Sequence, residues 1–239
     1  MNKKPSLYVK FLIFLLFSLS SCASGCATIN ISNTVEEKIP RHSFVQVRQF
    51  VNDKKPIIGI CNGFQVLVKM GLLPGDDDIS FEQTASLTLN DSGHYEDRWV
   101  TLEFDDNSHC IWTKGLKRMR VPVRHGEGKF VTNDKKLLDK WDKSGQLVVR
   151  YVDPNQQYPS KSDELLPYPL SPNSSWRNIA GVCDPTGLVF GLMPHPEANH
   201  STWLGATWTR ENLDHGEGEG MAMFHNAVNY AKSQFSIND

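Results

Sequence analysis

The segment KPIIGICNGFQVLVKMGLLPG, residues 55–75, decides the fold, because a cysteine between glycines joins its two apolar runs. Residues 56–60 form a continuous run rich in β-branched side chains, which is typical of a buried strand. Residues 64–70 then carry apolar side chains at helical spacing, and the Pro-Gly pair at 74–75 ends the helix. Cys61 is therefore predicted to lie where a strand passes into a helix, a place where open α/β sheets carry functional sites.

The surroundings of Cys61 suit a nucleophile. Gly59 and Gly63 let the backbone turn sharply and let a substrate come close. The N-terminus of the following helix has free N–H groups and a positive dipole end, which favour the thiolate. The backbone N–H of Asn62 is the expected donor to the oxyanion that forms when the sulfur attacks a carbonyl. A buried structural cysteine in a tight turn is the alternative interpretation.

A thiolate nucleophile needs a base, and the base needs a partner that orients it. The segment FGLMPHPEANH, residues 190–200, offers both, because an apolar strand ends at Pro194 and is followed by His195 and Glu197. His195, His200 and Glu197 could instead bind a metal, but two prolines stiffen the loop and no further cluster of His or Cys is near. We therefore predict a base at His195, its orienting partner at Glu197, and no metal.

The remaining apolar stretches predict an α/β domain, because strands alternate with helices. Short strands are predicted at 86–89, 99–104, 121–124, 147–151, 179–183 and 189–192. The closing helix is expected to bury Phe224, Ala227, Val228, Ala231 and Phe235 on one face. Residues 153–175 are rich in Pro, Ser and Asn and are predicted to form a long surface loop.

Composition excludes several classes of protein. The 239 residues are enough for one large domain. Because 25 Lys and Arg nearly balance 27 Asp and Glu, giving a net charge of −2, and no basic stripe occurs, we predict no nucleic-acid surface. The five cysteines have wide, irregular spacing that suggests neither zinc nor a disulfide framework. Cys110 and Cys183 are expected to be buried as small hydrophobic residues.

The first 22 residues have the features of an export signal. Lys3, Lys4 and Lys10 precede the apolar run FLIFLLFSL, and a small-residue segment then ends at Cys22, as in a bacterial lipoprotein box. The apolar run is too short to cross a membrane. Whether these residues export the protein depends on whether the function predicted for the rest of the chain can operate outside the cytoplasm.

Four segments occur in an order and spacing that resemble one enzyme family: GICNGFQVLVKMGLLPG, RHGEGKF, IAGVCDPTGLVFGLMPHPE and GEGMAMFHNAV. With NDSGHYEDRWV, they resemble the glutaminase part of phosphoribosylformylglycinamidine synthase, a class I glutamine amidotransferase of purine synthesis. The resemblance covers residues 44–235, and residues 1–43 are interpreted as a leader outside the family fold. It implies a flavodoxin-like, mostly parallel sheet with flanking helices, whose N-terminal strands are missing or replaced here.

The resemblance also implies a reaction and a partner. Cys61 attacks the side-chain amide of glutamine and releases ammonia, while His195 moves protons and Glu197 orients His195. The residues implied for the substrate pocket are Asn62, Gly63, Gln65, His125, Gly126 and Glu127. A purely structural turn is the alternative for residues 125–127. Ammonia then passes to a synthetase partner, which is expected to bind ATP and magnesium, so this chain needs no cofactor.

The sequence departs from the family in residues 1–43, which lack the glycine-rich loop P-G-G-F-S-Y-G-D that supplies a second oxyanion donor. Three interpretations are open: the chain is the product of a truncated amidotransferase gene with a fortuitous leader, an exported γ-glutamyl hydrolase-like enzyme, or an inactive remnant. The NGFQ and HGEG motifs favour the first, in the cytoplasm, because an exported enzyme would lack ATP and the nucleotide. No membrane contact is expected unless the leader is used. Without the second donor, we expect the chain alone to hydrolyse glutamine barely above background.

Overall fold

The computed structural model describes residues 41–76, 78, 80–158, 163–211 and 214–235. The interpretations of the leader and of the missing N-terminal strands fall on residues 1–43, of which residues 1–40 lie outside these ranges and residues 41–43 begin the first helix. The α-helices of the described chain are α1 (Arg41–Asn52), α2 (Asn62–Lys69), α3 (Lys135–Lys143), α4 (Trp208–Glu211) and α5 (Met221–Phe235). Its strands are β1 (Ile57–Ile60), β2 (Ala85–Thr88), β3 (Glu96–Phe104), β4 (Arg118–His125), β5 (Lys129–Thr132), β6 (Val149–Val152), β7 (Ile179–Cys183) and β8 (Val189–Leu192).

Six strands form one sheet in the order β1-β8-β7-β6-β3-β4, and β2 pairs with β5 separately. Within the described residues, only β1 and β8 run parallel, and the other pairs are antiparallel. The expectation of a mostly parallel sheet is therefore wrong for this part of the chain. One reason lies in the five residues 184–188 between β7 and β8, which are too few for the crossover that parallel neighbours require.

Apolar side chains cover both faces of the six-stranded sheet, because neighbouring residues of a strand point to opposite faces. Ile58 and Phe190 belong to one buried cluster, whereas Ile57 and Val189 belong to the other. The first cluster also contains Leu102, Val121, Tyr151, Met223 and Ala227. The second also contains Val51, Phe64, Leu67, Phe130 and Trp141. The helices α1, α2 and α3 thus cover one face, and α5 covers the other.

The strand β5 and the helices α3 and α4 escaped the sequence interpretation. β5 has only four residues, and α3 buries only Leu138 and Trp141, so its apolar pattern is short. The available signal was Asp134, whose side chain accepts a hydrogen bond from the backbone N–H of Lys136 at 2.8 Å and so caps the helix.

The closing helix α5 lies where the sequence predicts it, but the predicted buried face is partly wrong. Val228 and Phe235 are exposed, whereas Met223 is buried with Ala227 and Ala231. The face is set by what α5 packs against, since Asn226 Nδ2 donates to the carbonyl oxygens of Trp112 and Lys114. No helix within the described ranges is long and apolar enough to cross a lipid bilayer.

Other predictions for the core hold. Cys110 and Cys183 are buried free thiols. The described residues of the 153–175 segment contain no helix or strand, as expected for a loop. Its end does not lie on the surface, however. Asn173 and Ser175 are buried, and their side chains bind the HGEG turn, residues 125–128.

Candidate active site

Cys61 stands between β1 and α2, as the sequence predicts. Its backbone N–H donates to the carbonyl oxygen of Leu192, and its own carbonyl accepts from the N–H of Gln65. The backbone angles of Cys61 are φ 51° and ψ −107°, in a region that residues other than glycine rarely occupy. Such a conformation costs about 1–3 kcal/mol and persists only where the surrounding structure enforces it. The strain is typical of a nucleophile elbow, and it makes a purely structural cysteine a weaker interpretation.

The two glycines beside Cys61 have different surroundings. A Cβ atom added at Gly59 would lie 2.6 Å from the backbone of Gly63 and from the side chain of Leu67, so helix and strand approach closely there. A Cβ atom added at Gly63 would meet no heavy atom within 4 Å. Gly59 therefore permits the packing of the elbow, whereas Gly63 borders open space that a substrate can occupy.

His195 and Glu197 form a pair next to Cys61. His195 precedes a short 3-10 helix, Pro196–Asn199, and its Nδ1 lies 2.5 Å from Oε1 of Glu197. Burial alone would lower the pKa of His195, but interactions with the side chains of Cys61 and Glu197 outweigh it and raise the pKa to about 9. The imidazole is therefore protonated at neutral pH and can stabilise a thiolate on Cys61.

The thiol does not yet face the imidazole in hydrogen-bonding geometry. Cys61 Sγ donates instead to the carbonyl oxygen of Arg124 at 3.6 Å, a bond between residues 63 positions apart. The Nε2 of His195 is buried and has no hydrogen-bond partner among the described residues. Catalytic hydrogen bonds are commonly loose before substrate binds, so the missing contact does not argue against the pairing of the thiol with His195.

The outer edge of β4 holds the histidine loop in place. Along this edge, the carbonyl oxygen of Pro122 accepts from the backbone N–H of His195 at 2.8 Å. The carbonyl of Arg120 accepts from Asn199 Nδ2 at 2.8 Å, and that of Arg124 accepts from the thiol. Proline suits an edge strand, because its missing N–H would have pointed away from the sheet.

The predicted pocket residues come together on the other side of Cys61. Gln65 Nε2 donates to the carbonyl oxygen of Glu127 at 2.7 Å, which joins the first turn of α2 to the HGEG turn, residues 125–128. Gly126, like Gly63, borders open space, since only Tyr95 comes within 4.0 Å of an added Cβ. Asn62 is the first residue of α2, so its N–H has no partner within the helix. The side chain of Glu127 is exposed, and its backbone makes the contact.

Comparisons with known proteins agree with this geometry. A family model described as a CobB/CobQ-like glutamine amidotransferase domain matches residues 21–231. The chain belongs to this family.

Individual relatives of this amidotransferase chain include subunits of one synthase. It is 43% identical over 173 residues to the phosphoribosylformylglycinamidine synthase subunit PurQ of Treponema denticola, covering 67% of this chain and 62% of the relative. It is 38% identical over 187 residues to the corresponding subunit of Dehalococcoides mccartyi, covering 78% and 68%. The chain thus spans less than two thirds of the Treponema protein.

A solved structure, described as PurLQS from Thermotoga maritima, matches with a TM-score of 0.54 and 29% identity. The match covers 79% of this chain and 68% of that chain. The resemblance recognised in the sequence is therefore confirmed, and so is the class I glutamine amidotransferase-like α/β fold. The domain boundary at residue 44 stays a prediction.

Three residues of the amidotransferase site were given no role by the sequence interpretation. Asn90 binds the HGEG turn from one side, and its Nδ2 donates to the carbonyl of His125 at 2.8 Å. Asn173 Nδ2 and Ser175 Oγ bind it from the other side, donating to the carbonyl of Gly128 at 2.7 and 3.2 Å. Asn90 begins the NDSGHYEDRWV segment that carries part of the family resemblance. Its contact with His125, 35 residues further along the chain, has no signal in the sequence.

Other histidines stand apart from the candidate site. His94, His109 and His215 are exposed. His200 is also exposed, and its Nδ1 contacts the backbone oxygen of Glu197 rather than the carboxylate. Within the described ranges, no three His, Cys, Asp or Glu side chains form a group that could hold a metal ion.

Proposed function

We propose that this chain hydrolyses glutamine to glutamate and ammonia through a thioester on Cys61. The observation that carries the proposal is the strained cysteine elbow beside the His195–Glu197 pair, whose Nδ1 and Oε1 atoms are 2.5 Å apart. The three residues supply a nucleophile, a proton carrier and an orienting carboxylate, which are the parts that acyl transfer needs.

The chemistry proceeds in two halves. The Cys61 thiolate attacks the carbon of the side-chain amide, and the protonated His195 gives its proton to the leaving nitrogen, which departs as ammonia. Neutral His195 then takes a proton from water as the water attacks the thioester, and glutamate leaves as the thiolate is restored. Glu197 holds the imidazole through Nδ1 and stabilises its charge throughout.

The pocket is assigned to the space beside the elbow. The N–H of Asn62, at the start of α2, donates to the oxyanion formed in both halves. Gly63 and Gly126 leave room for the substrate, and Gln65 fixes the distance between the elbow and the HGEG turn through the carbonyl of Glu127. These proposed roles rest on the positions of the two glycines and on the contact between Gln65 and Glu127.

The ammonia is proposed to serve a synthetase partner that converts formylglycinamide ribonucleotide to the amidine in purine synthesis. The names of the relatives and the PurLQS description of the Thermotoga structure support this assignment over an exported γ-glutamyl hydrolase. ATP and magnesium then belong to the partner, and no cofactor is assigned to this chain. Because the partner needs ATP and a nucleotide, the enzyme is proposed to work in the cytoplasm.

Labelling with a glutamine-analogue electrophile tests the proposal. Cys61 should react before Cys110 and Cys183, because the latter two are buried, and excess glutamine should slow the reaction. The variant His195→Ala should lower the labelling rate and abolish the release of ammonia in the presence of the partner. Cys110→Ala is the matched control and should keep both. Equal labelling of the three cysteines, or undiminished turnover by His195→Ala, would contradict the proposal.

A further inference from the structure

Nε2 of His125, in the HGEG turn, is a buried polar atom to which the proposed mechanism gives no role. His125 is 3% exposed, and its Nε2 has no hydrogen-bond partner among the described residues. Gly128 packs against the ring, since an added Cβ would lie 2.5–2.9 Å from three ring atoms. Buried polar atoms in folded proteins are nearly always paired, so an unpaired one calls for a ligand or a special purpose.

Asn90 determines which nitrogen of His125 carries the proton. Asn90 Nδ2 donates to the carbonyl oxygens of His94 and His125 at 3.0 and 2.8 Å, which fixes the orientation of the amide. Asn90 Oδ1 then accepts from the N–H of Gly128 and lies 3.1 Å from Nδ1 of His125. An oxygen acceptor requires a proton on Nδ1, so in the neutral ring Nε2 carries only a lone pair.

The ring of His125 stays neutral under ordinary conditions. Burial lowers its pKa most, the charge on His195 lowers it further, and the result is about 4. At neutral pH, Nε2 is therefore a hydrogen-bond acceptor that cannot donate.

The chain neighbours of His125 border the proposed substrate pocket. The preceding residue, Arg124, accepts a hydrogen bond from the thiol of Cys61 through its carbonyl oxygen. Two residues further on, the carbonyl of Glu127 accepts from Gln65. The neighbouring Gly126 borders open space. His125 thus lies in a segment, residues 124–127, that borders the pocket beside Cys61.

We propose that Nε2 of His125 accepts a hydrogen bond from the carboxamide nitrogen of bound glutamine, and that Asn90 is the positioning residue that holds it as an acceptor. The inference rests on the proposed function and adds to it a basis for selecting the amide over the acid. Glutamate carries oxygen in place of the nitrogen, so its lone pairs would face the lone pair of Nε2. A buried acceptor left unpaired in this way disfavours the wrong ligand.

Binding of glutamine and glutamate to the full chain tests the inference. Calorimetric titrations would use the variant Cys61→Ala, which binds but cannot turn over. Adding His125→Gln should reduce the ratio of glutamine affinity to glutamate affinity about tenfold, because an amide can rotate to donate as well as accept. Adding Asn90→Ala should reduce it in the same direction, because the tautomer is no longer fixed. His94→Gln, an exposed histidine four residues from Asn90, is the matched control and should leave the ratio unchanged.

The ratio separates this role from a structural one. A structural role of His125 would weaken both ligands equally, and an unchanged ratio in folded His125→Gln and Asn90→Ala chains would overturn the inference while leaving the proposed function intact. Thermal melting of each variant verifies that it is folded, and either variant alone suffices for the comparison. If Cys61→Ala bound neither glutamine nor glutamate, the inference and the proposed function would both fail.

Discussion

His195 is the residue whose charge decides the proposed chemistry. Its pKa of about 9 is the outcome of burial, which opposes the charge, and of Cys61 and Glu197, which favour it. The imidazolium is therefore present through neutral pH and is lost as the pH rises through about 9. Whatever needs the protonated ring, including proton delivery to the leaving nitrogen, fails above that value.

Glu197→Gln is expected to move the alkaline limit of ammonia release from about pH 9 toward neutral pH, because this release needs the protonated His195. The amide removes the negative charge beside Nδ1, so the imidazolium loses stabilisation and its pKa falls. The measurement is the rate of ammonia release, with the partner present, as a function of pH. Glu217→Gln is the matched control, because Glu217 also contacts a histidine, His225, at 2.7 Å but on the exposed surface. An alkaline limit that does not move would show that Glu197 does not set the charge of His195.

The short helix Pro196–Asn199 shows how an element holds the proposed orienting carboxylate of Glu197 in place. On one side, Asn199 bonds to the edge of β4. On the other side, the backbone of residues 218–220 lies so close that only glycine fits: a Cβ at Gly218 or Gly220 would collide with Asn199 or Pro196. The backbone of the turn before α5 is thus packed directly against the short helix that carries Glu197.

Gly220→Ala is expected to lower glutaminase turnover about 10²-fold, although the residue touches no catalytic side chain. The new Cβ would overlap the carbonyl oxygen of Pro196, so the helix and Glu197 must shift, and small displacements of a catalytic group have effects of this size. The rate of ammonia release with the partner present is the measurement. Gly216→Ala is the control, because only Thr202 comes within 4.0 Å of its added Cβ. Unchanged turnover in Gly220→Ala would mean that the turn does not support the helix.

At the scale of the whole molecule, the site depends on how the sheet curls. β1 and β4 are the two ends of the six-stranded order, yet Cys61 after β1 reaches the carbonyl of Arg124 in β4. The proposed catalytic groups therefore come together where the two ends of the sheet approach. The apolar cluster that contains Leu102, Val121 and Tyr151 lies on the sheet between these ends.

Leu102→Ala is expected to lower the free energy of unfolding by about 3 kcal/mol, through lost burial and the cavity that remains. Leu102 is fully buried in β3, opposite Tyr151 of β6 and Met119 of β4. Urea denaturation followed by tryptophan fluorescence measures the change. Leu204→Ala removes the same atoms from a side chain that is 45% exposed, and should change the free energy by about 0.5 kcal/mol or less. Similar losses in the two variants would argue against the buried cluster as the main source of stability.

The sequence by itself determined the parts of this protein that depend on near neighbours along the chain. The strand, the strained cysteine and the helix of residues 57–69 follow one another directly, and Glu197 stands two residues from His195. The bounds of β7 and β8 were also predicted, because their apolar runs are short and sharply ended. Local structure of this kind can be predicted from residue types, since periodicity, turn residues and side-chain chemistry all act over a few positions.

Only the tertiary structure decided which distant groups complete the site. Backbone carbonyls of Arg124, Pro122 and Arg120 hold the thiol and the histidine loop. Because every residue has a backbone carbonyl, the residue type gives no sign of this role. Asn90 acts on His125 across 35 residues through the pairing of β3 with β4. Strand direction and the curl of the sheet arise from packing among many residues at once. The physical reason is that these contacts depend on the path of the whole chain, which no short segment contains.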